Sequence, residues 1–406
     1  MEKKLSIIFI GVVICGVVLS LVGMSLVSQA ASEPLKVRKI VVFDENFVNE
    51  PTREALVKNF DGIVVKNLPL INGMAILLSP KVERALAQQA GVLRIDDDVV
   101  VYALGKPATP PGLDKNKDEE PQPLQQPSWG YTRIGAGEAN INYKGTGIKV
   151  GIIDSGISVK HPDLTVVGGV NTINPRKSYD DDHGHGSHVA GIVAALDNNI
   201  GVIGVAPEAQ LYAIKVLDRR ASGFLSDVIE GLQWAIENHM QVVNMSLGTA
   251  SDVQSYHDAI ITVYNAGITI VAAAGNDGET DGKIYYPAKY PETIAVSATD
   301  NTDDLAYFSS YGEEVDLAAP GQAINSTWKG EDYHIGSGTS MATPHVAGTV
   351  ALILADSNLK CDTDLDESCS PTEVKTRLEA TAEWLIGLTS DEQGLGLIDA
   401  EAAVSQ

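Results

Sequence analysis

The sequence predicts an α/β fold: a parallel central sheet with helices on both faces, preceded by a small α+β domain with an antiparallel sheet. Three observations carry this. From about Ser128 onward, short uninterrupted apolar runs alternate with helix-like segments, the pattern of strands buried on both sides. Residues 37–104 instead follow a β-α-β-β-α-β order, which suits a sheet with helices on one face. Between them, residues 105–124, "GKPATPPGLDKNKDEEPQPL", combine proline and charge without apolar periodicity and read as a linker.

Taken in order, the chain opens with Lys3 and Lys4 before an uncharged apolar stretch from Leu5 to Val27, then Ser28-Gln29-Ala30. That is a signal-peptide pattern over residues 1–30. The alternative is an uncleaved membrane anchor, since about 20 apolar residues span a bilayer. Export of the remaining chain follows from either. In the small domain, "VRKIVVFDEN" reads as a strand, "PTREALVKNF" as a helix and "GIVVKNLPLINGMAILLS" as two strands; "PKVERALAQQAG" is a second helix and "VLRIDDDVVVYAL" a last strand. In residues 125–406, "IKVGIIDSGI", "AQLYAIKVL", "QVVNMSLG", "ITIVAAAGN", "TIAVSATD" and "VDLAAPG" are strands, with "SDVIEGLQWAIENH" and "YHDAIITVYNAG" among the intervening helices.

Composition narrows the function. A net charge of -24 argues against nucleic acid or an anionic membrane surface as partner. With three cysteines and no CxxC pair, zinc is not expected.

Four positions at strand ends and helix starts stand out. Ser340 follows Gly336 and Gly338 in "IGSGTSMATPHVAG", with Pro344 four residues on, so a helix is expected to begin beside it, with the proline in its first turn. Asp154 ends the strand "KVGIID", His185 lies in "DDDHGHGSHVAG", and Asn276 ends "ITIVAAAGN". Each alone is an ordinary cap, loop or turn residue. Together they supply a hydroxyl nucleophile, an imidazole to take its proton, a carboxylate to orient the imidazole and an amide donor for an oxyanion.

The segments "GIIDSGI", "HGSHVAG", "VAAAGNDG" and "GTSMATPHVAG", in that order, resemble the subtilisin family of serine endopeptidases from about Gln125 to the end. The resemblance implies Asp154, His185 and Ser340 as the triad and Asn276 as the oxyanion donor; it selects His185 over His183 and His188 as the base. It also implies that Ser246, Leu247 and Gly248 line the substrate on one side and Ala221, Ser222 and Gly223 on the other. Tyr285 lies where the family often has a small residue, which implies a shallower pocket. "HPDL" and "ALDNNIGVIGVAP" are similar to the family's calcium site. That implies side-chain oxygens from Gln125, Asp163 and Asn198 and carbonyls from Leu196, Ile200 and Val202.

"CDTDLDESCSPTE" has Asp362, Asp364, Asp366 and Glu373 at EF-loop spacing, but Glu367 where such a loop needs glycine. Ser370 and Glu373 also form a capping box with Pro371 at the first helical position. A surface loop closed by a Cys361–Cys369 disulfide is favoured, and a further cation there stays open. Residues 37–104 resemble the family's propeptides, which implies an intramolecular inhibitor and self-cleavage after Leu104.

The leading expectation is therefore a secreted, calcium-stabilised endopeptidase, made as a monomeric zymogen and acting on polypeptides. The membrane is a partner only if the N-terminal segment is retained. Two rivals are an idle family member serving as a scaffold, and a serine esterase of the α/β-hydrolase kind. The esterase fold expects Gly-x-Ser-x-Gly, but Ala342 stands in the last glycine's place and the serine comes last in the chain.

Overall fold

The computed structural model describes residues 35–46, 49–107, 122–358 and 360–405. The proposed signal segment and most of the expected linker lie outside the described residues. Among those described, no helix is long and apolar enough to cross a membrane.

The small domain is a four-stranded antiparallel sheet in the order β2-β3-β1-β4. Its strands are β1 (Val37–Phe43), β2 (Ile63–Leu68), β3 (Gly73–Leu78) and β4 (Val92–Asp97). Helices α1 (Glu50–Asn59) and α2 (Pro80–Ala87) start at Asn49 and Ser79, whose side chains accept backbone N–H groups. Strand period 2 sorts β1 between two cores. Val41 and Phe43 pack with Val57 and Leu86 of the helices. Ile40 and Val42 join a core shared with the large domain.

The expected last strand, "VLRIDDDVVVYAL", is two strands. β4 stays in the sheet, and β5 (Val100–Ala103) leaves it to lie between β10 (Ser222–Phe224) and β12 (Leu247–Gly248) of the large domain. The break falls at Asp98 and Val99, and both bond the large domain. Asp98 accepts the Ser226 N–H at 2.8 Å and the Ser226 hydroxyl at 2.9 Å, while the Val99 carbonyl accepts Leu225 N–H at 2.9 Å.

The large domain bears out the parallel α/β expectation. Seven strands, all parallel, run β15-β14-β13-β11-β7-β9-β8. They are β7 (Lys149–Asp154), β8 (Val166–Asn171), β9 (Gln210–Lys215), β11 (Val242–Met245), β13 (Thr269–Ala273), β14 (Ile294–Thr299) and β15 (Leu317–Pro320). Residues of α3 (His185–Ala194) and α6 (Thr339–Leu354) share a core with Val150 and Ile152 of β7. Those of α4 (Leu225–Glu237) and α5 (Gln254–Asn265) share a second core with Ile153. Helices α3 and α6 are buried almost all round, which explains why their sequences carry no charge beyond histidine.

One expectation about α6 changes. Pro344 is its sixth residue and lies in the second turn, not the first. Its missing N–H leaves the carbonyl four residues earlier, that of Ser340, without a helical donor. The Ser246 hydroxyl supplies one at 3.0 Å. The proline thus frees a carbonyl that ties α6 to the chain beyond β11.

Near the end of the chain, Cys361 and Cys369 are joined in a disulfide with Cα atoms 5.6 Å apart. Ser370 and Glu373 cap α7 (Pro371–Thr381) reciprocally.

Candidate active site

Strand β7 ends on Asp154 at the carboxyl edge of the central sheet, where open α/β folds place their sites. His185 is the first residue of α3, and its Nδ1 lies 2.9 and 2.8 Å from the two Asp154 carboxylate oxygens. Asp181 fixes this helix start. One of its oxygens accepts the N–H groups of His183 and Gly184 and the Ser155 hydroxyl; the other accepts the N–H and hydroxyl of Ser187. Lys215, buried at the end of β9, ties the same loop down by donating to Asp182 at 2.6 Å. Neither Asp181 nor Lys215 was singled out from sequence. The acidic run beside "HGHGSH" was the available signal for the first.

Asp154 is fully buried and His185 is 2 % exposed. Burial alone would lower the His185 pKa, but the Asp154 charge and hydrogen bond outweigh it and hold it above the ordinary imidazole value. His188 has no carboxylate partner among the described residues. Its Nε2 lies against the Ile324 and His334 carbonyls, and burial pushes it down to about 3, so it stays neutral.

Ser340 is the second residue of α6. Its hydroxyl donates to the Ser246 carbonyl at 2.9 Å, and His185 Nε2 has no hydrogen-bond partner among the described residues. The two side chains are not hydrogen-bonded to each other; the Leu104–Gly105 peptide lies against both. The Leu104 carbonyl accepts the Ser340 N–H at 3.3 Å and a short hydrogen bond from Asn276 Nδ2. Asn276 is aimed by its other amide atom, which accepts the Thr339 N–H at 3.0 Å and hydroxyl at 3.1 Å. Gly338 leaves the necessary space: a Cβ there would lie 2.5 Å from the Leu104 oxygen.

The segment before this bond fills the groove as an added strand. Tyr102 pairs with Ser222 and Gly248, Val101 with Gly223, and Ala103 with Leu247. Ala103 N–H donates to the Ala221 carbonyl at 3.0 Å, and Leu104 N–H to that of Ser246 at 3.1 Å. All six groove residues inferred from sequence therefore meet one stretch of the chain. The Leu104 side chain is buried beside Gly248, which also lies against the Cβ of Tyr285 and the Tyr286 carbonyl. The Tyr285 ring packs on Gly275; burial and the neighbouring Asp277 push its hydroxyl up to about 12. After the bond, β6 (Lys106–Pro107) pairs with Ser337 and Gly336 of β17 (Tyr333–Ser337), which in turn pairs with β16 (Ile324–Thr327).

A second cluster of oxygens lies away from the groove. Asp163, fully buried, accepts Asn198 Nδ2 at 3.1 Å, Val202 N–H at 3.0 Å and the Tyr333 hydroxyl at 3.2 Å. Burial raises its carboxyl to about 6. Gln125 Nε2 bridges the Leu196 and Val202 carbonyls at 2.7 and 3.0 Å. Ile200 is on the same turn, donating to Asn198 Oδ1 at 3.0 Å and bridged to Leu124. Two carbonyls converging on one nitrogen beside a buried carboxylate are the donors a hard cation takes. Turning the Gln125 amide over would add its oxygen, so the residues fit calcium.

Asp362, Asp364 and Glu373 also offer oxygens within 4.8 Å of one another. Glu373 is already occupied: it accepts N–H and hydroxyl groups from both Ser370 and Thr363, which hold its carboxyl down to about 2. Asp362 likewise accepts the N–H groups of Leu365 and Glu367. These carboxylates close a turn and cap a helix.

A family profile described as the subtilase family matches residues 145–397. The chain is 38% identical to subtilisin E of Bacillus subtilis over 382 residues, covering 93% of each. It is 46% identical to a subtilisin of Bacillus pumilus over 264 residues, 64% of this chain and 92% of that one. An alkaline protease of Shouchella clausii matches at 40% over 331 residues, 81% of this chain and 78% of the other.

Proposed function

The chain belongs to the subtilase family of serine endopeptidases, and on that premise we propose that it is a zymogen whose residues 37–104 inhibit the peptidase until the Leu104–Gly105 bond is cut by its own triad. The observation that carries this reading is the Leu104 carbonyl, held by Asn276 Nδ2 and the Ser340 N–H while its chain is still continuous.

In this mechanism the Ser340 hydroxyl turns from the Ser246 carbonyl to His185 Nε2, gives up its proton there and attacks the Leu104 carbonyl carbon. Asp154 holds the imidazole tautomer and stabilises the imidazolium. Asn276 and the Ser340 N–H take the oxyanion that forms. His185 then passes the proton to the Gly105 nitrogen as the C–N bond breaks, leaving an acyl-enzyme on Leu104. Water, deprotonated by His185, releases it. Other polypeptides follow the same course along Ala221–Gly223 and Ser246–Gly248. Tyr285 closes the pocket at a depth that suits a leucine side chain.

Calcium would be held by Gln125, Asp163, Asn198 and the carbonyls of Leu196, Ile200 and Val202. Its contribution is structural: it neutralises the buried Asp163 and joins the start of the peptidase domain to the loop after α3. Residues 1–30 would direct export, with 105–124 linking inhibitor to peptidase, and the mature protein would act outside the cell as a monomer.

Expression of the full chain tests the reading. The natural sequence is expected to yield a mature protein beginning at Gly105 that reacts with a fluorophosphonate and digests casein. Ser340→Ala is expected to stay whole and unlabelled. A Ser340→Ala chain that is still processed at Leu104 in pure form would defeat the proposal.

A further inference from the structure

The residue after the proposed maturation bond has no side chain, and the structure gives a reason. A Cβ on Gly105 would lie 2.7 Å from His185 Nε2 and 2.9 Å from its Cδ2, with Met341 Cε at 3.4 Å. Carbon atoms do not sit that close to an imidazole, so one side must move. Little can. The His185 ring is 2 % exposed and pinned through Nδ1 to Asp154, and Met341 is equally buried. The Leu104 carbonyl is fixed by two donors, and the chain beyond is paired through Lys106 and Pro107. A side chain at position 105 therefore displaces the imidazole or lifts the carbonyl from its donors.

We propose that Gly105 is the specificity-determining residue of maturation. Its missing Cβ lets His185 Nε2 stand against the leaving nitrogen, where it must deliver the proton as the Leu104–Gly105 bond breaks. This rests on the zymogen reading above. It also explains the choice of bond. Gly105 is the only glycine between Gly91 and Gly112, so sliding the strand one residue either way brings Leu104 or Lys106 against the imidazole. The same wall faces any polypeptide held on both sides of the cut. The substrate class favoured is thus a leucine-sized residue followed by glycine, with β-branched residues after the bond disfavoured.

The test uses the full chain with Gly105→Ala and Gly105→Val, following conversion on gels and the new N-terminus by sequencing. Processing of the Val variant is expected to slow by about 10²-fold, the scale of a misplacement near 1 Å, with Ala between. The thermal midpoint of each uncut chain in a Ser340→Ala background should fall by no more than several degrees from that of Ser340→Ala alone, the cost of a local overpacking and far short of unfolding. In parallel, mature enzyme should cleave a peptide VVYALGKP faster than VVYALVKP, the difference lying mainly in kcat. A Val variant cut at the same bond as fast as the natural chain overturns this inference alone. A natural chain cut at some other bond overturns the zymogen reading as well.

Discussion

Before the Leu104–Gly105 bond the chain is the middle strand of three; after it, two residues pair with a single neighbour. The first arm also carries a folded domain with its own hold on the peptidase. Asp98 accepts the Ser226 N–H at the start of α4, and Asp96 accepts that of Ser255 at the start of α5. Neither helix has a capping side chain at the position before it, where Phe224 and Val253 stand, although Asp227 accepts the Phe224 N–H at 3.2 Å. Lys66 bonds Asp227 and Glu230, and Arg94 bonds Asp258. The arms are unequal in their contacts, so a cut between them would free the weaker one and leave the stronger one in the groove. In the proposed maturation, the amino-terminal product is therefore the inhibitor, and the part that moves away is the new amino-terminal segment of the peptidase, from Gly105 into the linker.

The largest expected effect removes the cut itself, so that the arms never separate. Asn276→Ala takes one donor from the Leu104 carbonyl and should slow maturation about 10²–10³-fold, a size already known for a subtilisin's own asparagine and so no inference from this chain. Conversion without slowing would mean that the Leu104 carbonyl is not the reacting one. Next comes pH. His185 must be neutral to accept the Ser340 proton, and Asp154 holds its pKa above the ordinary imidazole value. Processing should be full above that raised pKa and fall about tenfold per unit below it. His188, pushed down to about 3, adds nothing to the limb. A pH–rate profile with its limb below the ordinary imidazole value contradicts the assignment.

A third effect weakens only the stronger arm. Asp98→Ala removes a helix cap and leaves Arg38, whose Nε lies 2.7 Å from Asp98, without that carboxylate. A cap is worth about 1–2 kcal/mol, so the cut propeptide should leave roughly 5–30-fold more readily. Activity regained on diluting freshly matured protein measures this. The rate of the cut itself should change far less. Equal loss of both would mean that Asp98 serves folding, with no separate grip on the product.

How much of this was legible in the sequence depends on the range of the interaction. The end of β7 carrying Asp154, and the starts of α3 and α6, were readable because buried parallel strands and their following helices write local apolar runs; Asn276, expected at a strand end, lies in the turn beyond β13, which stops at Ala273. The groove and calcium residues came only through resemblance. The caps were invisible: Asp96 and Asp98 look like surface acids in "IDDDVV", and their partners lie more than 120 residues away. For the same reason one strand was read where two exist: the run Asp96–Asp98 is poor in β-propensity, but where the chain breaks is set by its bonds to a distant helix start. Pro344 was placed in a first turn because sequence does not locate a helix start to within two or three residues. The Ser246 hydroxyl that compensates for it belongs to another strand end.

The smallest expected effect concerns the far end of the weaker arm. Beyond the linker, backbone bonds tie Pro123, Gln125 and Gln126 to Gly201 and Asn199. Those residues frame the proposed calcium loop, so the cation should steady the point where this arm rejoins the peptidase domain. The measurement is the thermal midpoint of the uncut Ser340→Ala chain, where self-digestion cannot interfere. A bound ligand at about 100 times its Kd adds about 2.7 kcal/mol, and each kcal/mol shifts a domain of this size by roughly 2–4 °C. Chelation should therefore lower the midpoint by several degrees, and Gln125→Ala should shrink that response. Asp362→Asn should leave the response intact, because the carboxylates of that loop already bind their own backbone. A response lost in Asp362→Asn and kept in Gln125→Ala would move calcium to the disulfide loop and leave the backbone bonds of Pro123, Gln125 and Gln126 to hold this arm without it.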